Sequence, residues 1–205
     1  MKQDLILFPF NGNSIEAIDC ISENFNIIGI IDDNKIGQTY FDYKIFDRNI
    51  INKFPKSKVL AVPGSPNSFK QKNNIIKSLN IPNERFAKVI HPNANISKYA
   101  KIGNNVLIMA GVVITSNAFI SDNVIILPNS VIHHDSIISK NCIIGSNVVI
   151  AGSVFIAPNC YIGSGSNIKN NIKIGKNSLI GLGSNVLKDV EENAIVYGNP
   201  AKNKI

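Results

Sequence analysis

Residues 102–150 read IGNNVL IMAGVV ITSNAF ISDNVI ILPNSV IHHDSI ISKNCI IGSNVV I, with isoleucine at every sixth position. The series begins at Ile90 and runs without a miss to Ile180. A period of six matches neither the 3.6-residue turn of a helix nor the two-residue alternation of a half-buried strand. It marks one short unit stacked repeatedly on itself, so this part of the chain is a solenoid.

The other places in the hexad define the unit. The fourth residue after each isoleucine is mostly small, as at Ala94, Val106, Ala118, Val124, Ser130, Ser136 and Cys142, so each unit fills one large and one small inward place. The third is usually asparagine, as at Asn105, Asn117, Asn123, Asn129, Asn141 and Asn147. Asparagine tolerates the left-handed backbone of a tight corner, and its amide bonds to nearby groups. Each hexad is therefore a short strand and a corner. Three hexads make a triangular coil of eighteen residues, with successive coils joined as parallel ladders about 4.8 Å apart.

Before the repeat the pattern alternates. Leu5-Ile6-Leu7-Phe8 ends in Pro9-Phe10-Asn11-Gly12-Asn13, and Ile15, Ile18 and Ile21 follow at helical spacing. Ile27 to Ile31 ends in Asp32-Asp33; Val59 to Val62 ends in Pro63-Gly64-Ser65, and a helix is expected through Ile75, Ile76 and Leu79. Strand alternating with helix argues for an α/β unit with a parallel sheet, which binds ligands at the carboxyl ends of its strands. We expect a first domain over 1–86 and a solenoid domain over 87–205, joined without a flexible linker. Residues 187–205 leave the repeat and are expected to cap the last coil, since a solenoid must cover its open edge.

Bulk properties narrow the function classes. A chain of 205 residues can bury a substantial core. No run of eighteen apolar residues occurs, and the start MKQDLILFPF lacks a signal-peptide pattern, so a cytoplasmic protein without membrane insertion is expected. The formal charge is +7, but the lysines are scattered singly with few aromatics, which argues against nucleic acid and fits attraction of anionic small molecules. Cys20, Cys142 and Cys160 show no CxxC spacing and read as core residues of a reducing compartment. Neither a metal-ligand cluster nor a P-loop is present, so no metal and no ATP are implied.

The N-terminal βαβ pattern, Ile90-His91-Pro92, the His-acid pair halfway along the repeat and the ending Val196-Tyr197-Gly198-Asn199-Pro200-Ala201-Lys202 together resemble the hexapeptide-repeat acyltransferases. The branch is that of nucleotide-sugar N-acetyltransferases and sialic acid O-acetyltransferase-like proteins. The resemblance covers nearly the whole chain and is strongest from residue 86 onward. It implies a Rossmann-like nucleotide-sugar-binding domain followed by a left-handed parallel β-helix, acetyl-CoA as acyl donor, and a homotrimer. Family members usually carry a Gly-x-Gly-Gly-His-like turn after the first strand; here only Gly12 of it is retained.

By the same resemblance His134 corresponds to the general base and Asp135 to its acidic neighbour. The chemistry agrees, because acyl transfer needs a group to take the acceptor's proton and histidine is suited to that near neutral pH. Eighteen residues beyond His134 stands Gly152, one coil away, whose peptide N–H is a candidate oxyanion donor. The resemblance further assigns Gly163, Ser164, Gly181 and Leu182, together with Gly152, to the coenzyme A groove. Gly12, Asn13, Asp32, Asp33, Gly64 and His133 are assigned to the sugar substrate. The leading expectation is acetyl-CoA-dependent N-acetylation of a nucleotide-linked amino sugar in bacterial glycan biosynthesis. O-acetylation of a sugar or sialic acid and a non-catalytic β-helix binding protein are the alternatives. A uniform solenoid would suit a spacer or an ice-binding surface, but His133-His134-Asp135 breaks the uniformity.

Overall fold

The computed structural model describes residues 2–21 and 24–204. Its first part is a five-stranded sheet. β1 (Gln3–Phe8) lies between β2 (Phe25–Ile31) and β5 (Lys58–Ala61), all parallel. The hairpin of β3 (Thr39–Tyr40) and β4 (Tyr43–Phe46) extends the β2 side, β4 running parallel to β2. The strands are apolar runs because they are buried on both faces, the usual condition of a parallel sheet. α1 (Gly12–Cys20) starts where Asn11 caps it: the Asn11 side chain accepts from the Ser14 N–H, and the Ser14 hydroxyl accepts from the Asn11 N–H. α2 (Ile50–Lys53) and α3 (Lys72–Lys77) bury Ile50, Ile51 and Ile76 against the sheet. The three apolar strands and the two helices expected from the sequence are present. The β3–β4 hairpin and α2 are additions to that expectation.

From Val89 to Val186 each hexad supplies a two-residue strand, and each strand as far as Asn167–Ile168 pairs in parallel with the one eighteen residues on, as in Val113↔Val131, Phe119↔Ile137 and Ile125↔Ile143. Three ladders result. The first face contains Val89–Ile90, Leu107–Ile108 and their successors, the second Asn95–Ile96 and Val113–Ile114, and the third Lys101–Ile102 and Phe119–Ile120. The isoleucine of each pair points inward, and Ile108, Ile120, Ile126, Ile132, Ile138 and Ile144 are fully buried with the small residues Val106, Ala118 and Cys142 between them. Each such side chain contributes about 1.5–3 kcal/mol of burial.

The corners take the left-handed backbone expected of asparagine, with φ of 53° at Asn105, 62° at Asn123 and 66° at Asn141. Between the third and first faces these amides form a column. Asn105 donates to Asn123, Asn123 to Asn141 and Asn141 to Asn159, at 2.9, 3.0 and 3.0 Å. The end of the chain continues the first face: Ile195–Gly198 pairs in parallel with Leu179–Ile180, and Ala201–Asn203 folds back antiparallel on it.

The first face differs from the other two in what it shows outward. Val89, Leu107, Ile125 and Ile143 are buried there against Leu5, Leu7, Ala17 and Leu60 of the N-terminal unit. Asn105 reinforces this seam by pairing both ways with the outer edge of β5: its amide donates to the Ala61 carbonyl at 2.9 Å, and its Oδ1 accepts the Ala61 N–H at 2.8 Å. The sheet and the solenoid therefore share one apolar core.

Candidate active site

Ile132 ends a second-face strand, and the chain turns at His133, His134 and Asp135 before Ile137 begins the third face. Asp135 takes the left-handed corner conformation, φ 59°, that asparagine fills elsewhere. This turn lets neighbouring side chains meet, and His134 Nδ1 lies 2.7 Å from Asp135 Oδ2. The bond to His134, followed by one from Asn117 to the other carboxylate oxygen, holds the Asp135 carboxyl below the usual carboxylate range. An ionised Asp135 can only accept, so Nδ1 carries the hydrogen in the neutral ring and Nε2 keeps its lone pair.

Gly152 stands one coil on. A Cβ there would lie 2.7 Å from both Cε1 and Nε2 of His134, so the imidazole occupies the space a side chain would need. The Gly152 carbonyl accepts from Asn171. Its N–H donates to no acceptor among the described residues, which leaves a peptide donor beside the free ring nitrogen. His133 is held by its backbone N–H to Ile150, and its side chain makes no hydrogen bond among the described residues.

Gly163, Ser164, Gly181 and Leu182 lie at a different corner, between the first and second faces. Gly163 and Gly181 are stacked: a Cβ on Gly163 would stand 2.8 Å from the Gly181 carbonyl carbon and 2.7 Å from the Leu182 nitrogen. Ser164 Oγ accepts the Ser146 N–H at 3.0 Å, and Leu182 is exposed. Within one chain these four do not meet His134; the second face lies between the two groups.

Of the residues assigned to the sugar substrate, Gly12, Asn13, Asp32, Asp33 and Gly64 gather at the carboxyl ends of β1, β2 and β5, whereas His133 stands apart from them at the His134 corner of the solenoid. Asn13 ties the first turn to the last by donating to the carbonyls of Val62 and Gly64 at 3.1 and 3.2 Å. A cavity of about 500 Å³ opens there, lined by Gly12, Asn13, Gly64 and Ser65 and closed by Leu127, Ile143 and Tyr161 of the solenoid. Gly64, at φ 127°, is required by close approach as well as by backbone: a Cβ would meet Ile143 Cδ1 at 2.5 Å. A smaller depression of about 270 Å³, sharing Pro9 and Ile75 with the first, contains Asp32, Asp33, Asn34 and Arg48.

The two aspartates are not equivalent. Asp33 is engaged by Arg48, whose Nε donates to Oδ2 at 2.6 Å and whose backbone N–H donates to Oδ1 at 3.2 Å. Asp32 caps the Asn34 N–H at 2.9 Å, with Lys35 at 3.9 Å. Sequence reasoning missed Arg48, Tyr161 and Asn117. Asn117 was within reach, because it stands eighteen residues before Asp135.

The cysteines are free and buried. Burial, assisted by Asp19 and Glu16, pushes the Cys20 thiol up to about 11, and burial also pushes Cys142 up, so neither has the character of a nucleophile.

Comparison with known proteins gives a consistent fold. A family model described as the GMPPB C-terminal domain matches residues 86–154. Among curated proteins nothing matches this chain. Among solved structures, a variant of perosamine N-acetyltransferase from Caulobacter crescentus, in complex with CoA and GDP-perosamine, superposes with a TM-score of 0.89 at 20% identity, over 100% of this chain and 98% of that one. The acetyltransferase domain of PglB from Neisseria gonorrhoeae, in complex with acetyl coenzyme A, gives 0.86 at 20% identity, and WeeI from Acinetobacter baumannii gives 0.81 at 22%, both covering 100% of each chain. These end-to-end likenesses define the class of fold: a parallel-sheet unit joined to a hexapeptide-repeat solenoid. Perosamine N-acetyltransferase and the PglB acetyltransferase domain share that architecture from first element to last.

Proposed function

We propose that this protein is an acetyl-CoA-dependent N-acetyltransferase acting on the amino group of a nucleotide-linked amino sugar. The observation that carries the reading is the His134–Asp135 pair with Gly152 against the ring, a general base beside a peptide N–H that donates to no acceptor among the described residues. The neighbour bound to CoA and GDP-perosamine supports the same substrate classes for this fold.

In this mechanism the neutral amine attacks the thioester carbonyl carbon and forms a tetrahedral intermediate. His134 Nε2 takes the proton released from the nitrogen, and Asp135 stabilises the resulting imidazolium. The Gly152 N–H donates to the oxyanion. Collapse breaks the carbon–sulfur bond, and the departing thiolate of coenzyme A takes the proton back from His134.

We divide the chain into a Rossmann-like nucleotide-sugar-binding domain over 1–86 and a left-handed β-helix over 87–205. The cavity at Gly12, Asn13 and Gly64, with the depression at Asp32 and Asp33, receives the nucleotide sugar. Gly163, Ser164, Gly181 and Leu182 line the coenzyme A groove. Because that corner and the His134 corner stand apart in one chain, the site is completed by a neighbouring copy in a homotrimer. Phe119, Ile137 and Phe155 form an apolar column on the third face, 41%, 39% and 40% exposed, which suits such a contact. Among the described residues no helix is long and apolar enough to cross a membrane. The free cysteines fit a cytoplasmic setting.

The test is a panel of UDP-, GDP- and dTDP-linked amino sugars, CMP-sialic acid and free sialic acid, with acetyl-CoA and detection of the released thiol. Turnover with an amino sugar nucleotide and an N-acetyl product is expected. Turnover with sialic acid alone contradicts the reading, as does release of no thiol with any of the panel.

A further inference from the structure

At the corner between the third and first faces, asparagine follows asparagine, and each amide donates to the side-chain oxygen of the next coil. The corner between the second and third faces begins in the same way: Asn117, at φ 60°, donates through Nδ2 to Oδ1 of Asp135 at 3.2 Å. There the series changes. The Asp135 side chain has no N–H to pass on, and Ser153 occupies the next place with φ 59°. The second carboxylate oxygen is thereby left for His134 Nδ1 at 2.7 Å.

The His134 and Asp135 side chains are 61% and 51% exposed, so packing does not hold the carboxylate in place. An exposed ion pair contributes little stability and samples several geometries unless something fixes it. Of the hydrogen bonds that fix this one, the Asn117 amide holds Oδ1, and the Ser116 carbonyl accepts the Asp135 N–H at 3.2 Å. With Oδ1 held from the coil below, rotation of the carboxylate is restricted and Oδ2 stays on the imidazole.

We propose that Asn117 is a positioning residue for catalysis, holding Asp135 so that His134 presents Nε2 toward Gly152. The inference rests on the reading of His134 as the base and adds a residue that never touches substrate.

The experiment uses the full chain with aspartate carboxyl carbons labelled, the Asp135 signal being followed by NMR as pH is lowered. Asn117→Gly keeps the left-handed corner and removes the donor. Asn117→Asp keeps the shape and replaces the donor with an acceptor. Asn159→Gly, at the same place in the uninterrupted ladder, is the control for loss of a corner bond. Because the Asn117 bond favours the ionised carboxyl, the Asp135 midpoint is expected to rise in Asn117→Gly and further in Asn117→Asp. Turnover is expected to fall about tenfold while both Michaelis constants stay within about twofold, since an interaction felt mainly in the transition state is removed. Asn159→Gly is expected to leave both readouts unchanged. A wild-type Asp135 midpoint in both Asn117 variants overturns the proposal, as does wild-type turnover in Asn117→Asp. The carboxyl titration needs no substrate, so full activity in His134→Asn would defeat the reading of the base while leaving the Asn117–Asp135 coupling measured on its own.

Discussion

The imidazole of His134 occupies the place of the missing side chain of Gly152, with Cε1 and Nε2 both 2.7 Å from where a Cβ would stand. The backbone of Gly152 lies outside the left-handed region, so alanine fits the chain there and conflicts only with the ring. Gly152→Ala is expected to fold with a melting temperature within a few degrees of wild type and to lose about a hundredfold or more in turnover, the scale of a displaced general base. Steady-state kinetics beside a thermal melt check both halves.

The acidic pair after β2 divides its labour. Asp33 is committed to Arg48, whereas Asp32 holds only a turn N–H at hydrogen-bond distance, so Asp32 has acceptor capacity for the substrate. Asp32→Ala is expected to raise the Michaelis constant for the nucleotide sugar about tenfold, in keeping with loss of a hydrogen bond to a charged group worth roughly 1.5–3 kcal/mol. The constant for acetyl-CoA is expected to stay within about twofold. Substrate saturation curves for both substrates provide the comparison.

Lys72 is fully buried at the start of α3, and its Nζ makes no hydrogen bond among the described residues. Burial, opposed weakly by Cys142, pushes its pKa down to about 7. The unfolded chain has a lysine near 10.4 and so binds more protons between those values, which makes stability rise with pH across that window. Lys72→Met removes the penalty. Its melting temperature is expected to exceed that of wild type at pH 7 by roughly 5 °C or more, with the difference shrinking toward pH 10. Calorimetry at the two pH values tests the sign.

Ile137 is the centre of the apolar column on the third face, between Phe119 and Phe155. Ile137→Asp places a charge there without disturbing the inward Ile138. Light scattering is expected to show three chains for wild type and one for the variant. The apparent Michaelis constant for acetyl-CoA is expected to rise about tenfold or more if two copies build the groove, the loss of one such contact being worth at least about 1.4 kcal/mol.

Much of this architecture was legible because the hexad is a strict code. The isoleucine series fixes the register of three ladders, and a count of eighteen along the chain brings His134 beside Gly152. The seam was also written in the sequence, at a period of eighteen: Leu107, Ile125 and Ile143 precede their isoleucines on one face only, where Phe119 and Ile137 mark another. That longer period is diluted by apolar residues on all three faces, so it does not name the face that docks. The β3–β4 hairpin has four-residue and two-residue strands, too short to show a period. Arg48 reaches Asp33 from a separate loop, a contact set by side-chain reach that no local pattern records. The separation of the Gly163 corner from His134 follows from the coil geometry, whereas the copy proposed to bridge them leaves no mark in a single chain.

The role of His134 as the base is tested by the pH–rate profile of His134→Asn against wild type, with acetyl-CoA and the amino sugar nucleotide found active in the acceptor panel. A hydroxyl acceptor depends on the base at every usable pH, whereas an amine deprotonates on its own as pH rises. A His134 base acting on an amine predicts turnover reduced about a hundredfold or more at neutral pH, with measurable recovery in alkaline buffer and a wild-type fold. Near-wild-type turnover of the variant at neutral pH would contradict it.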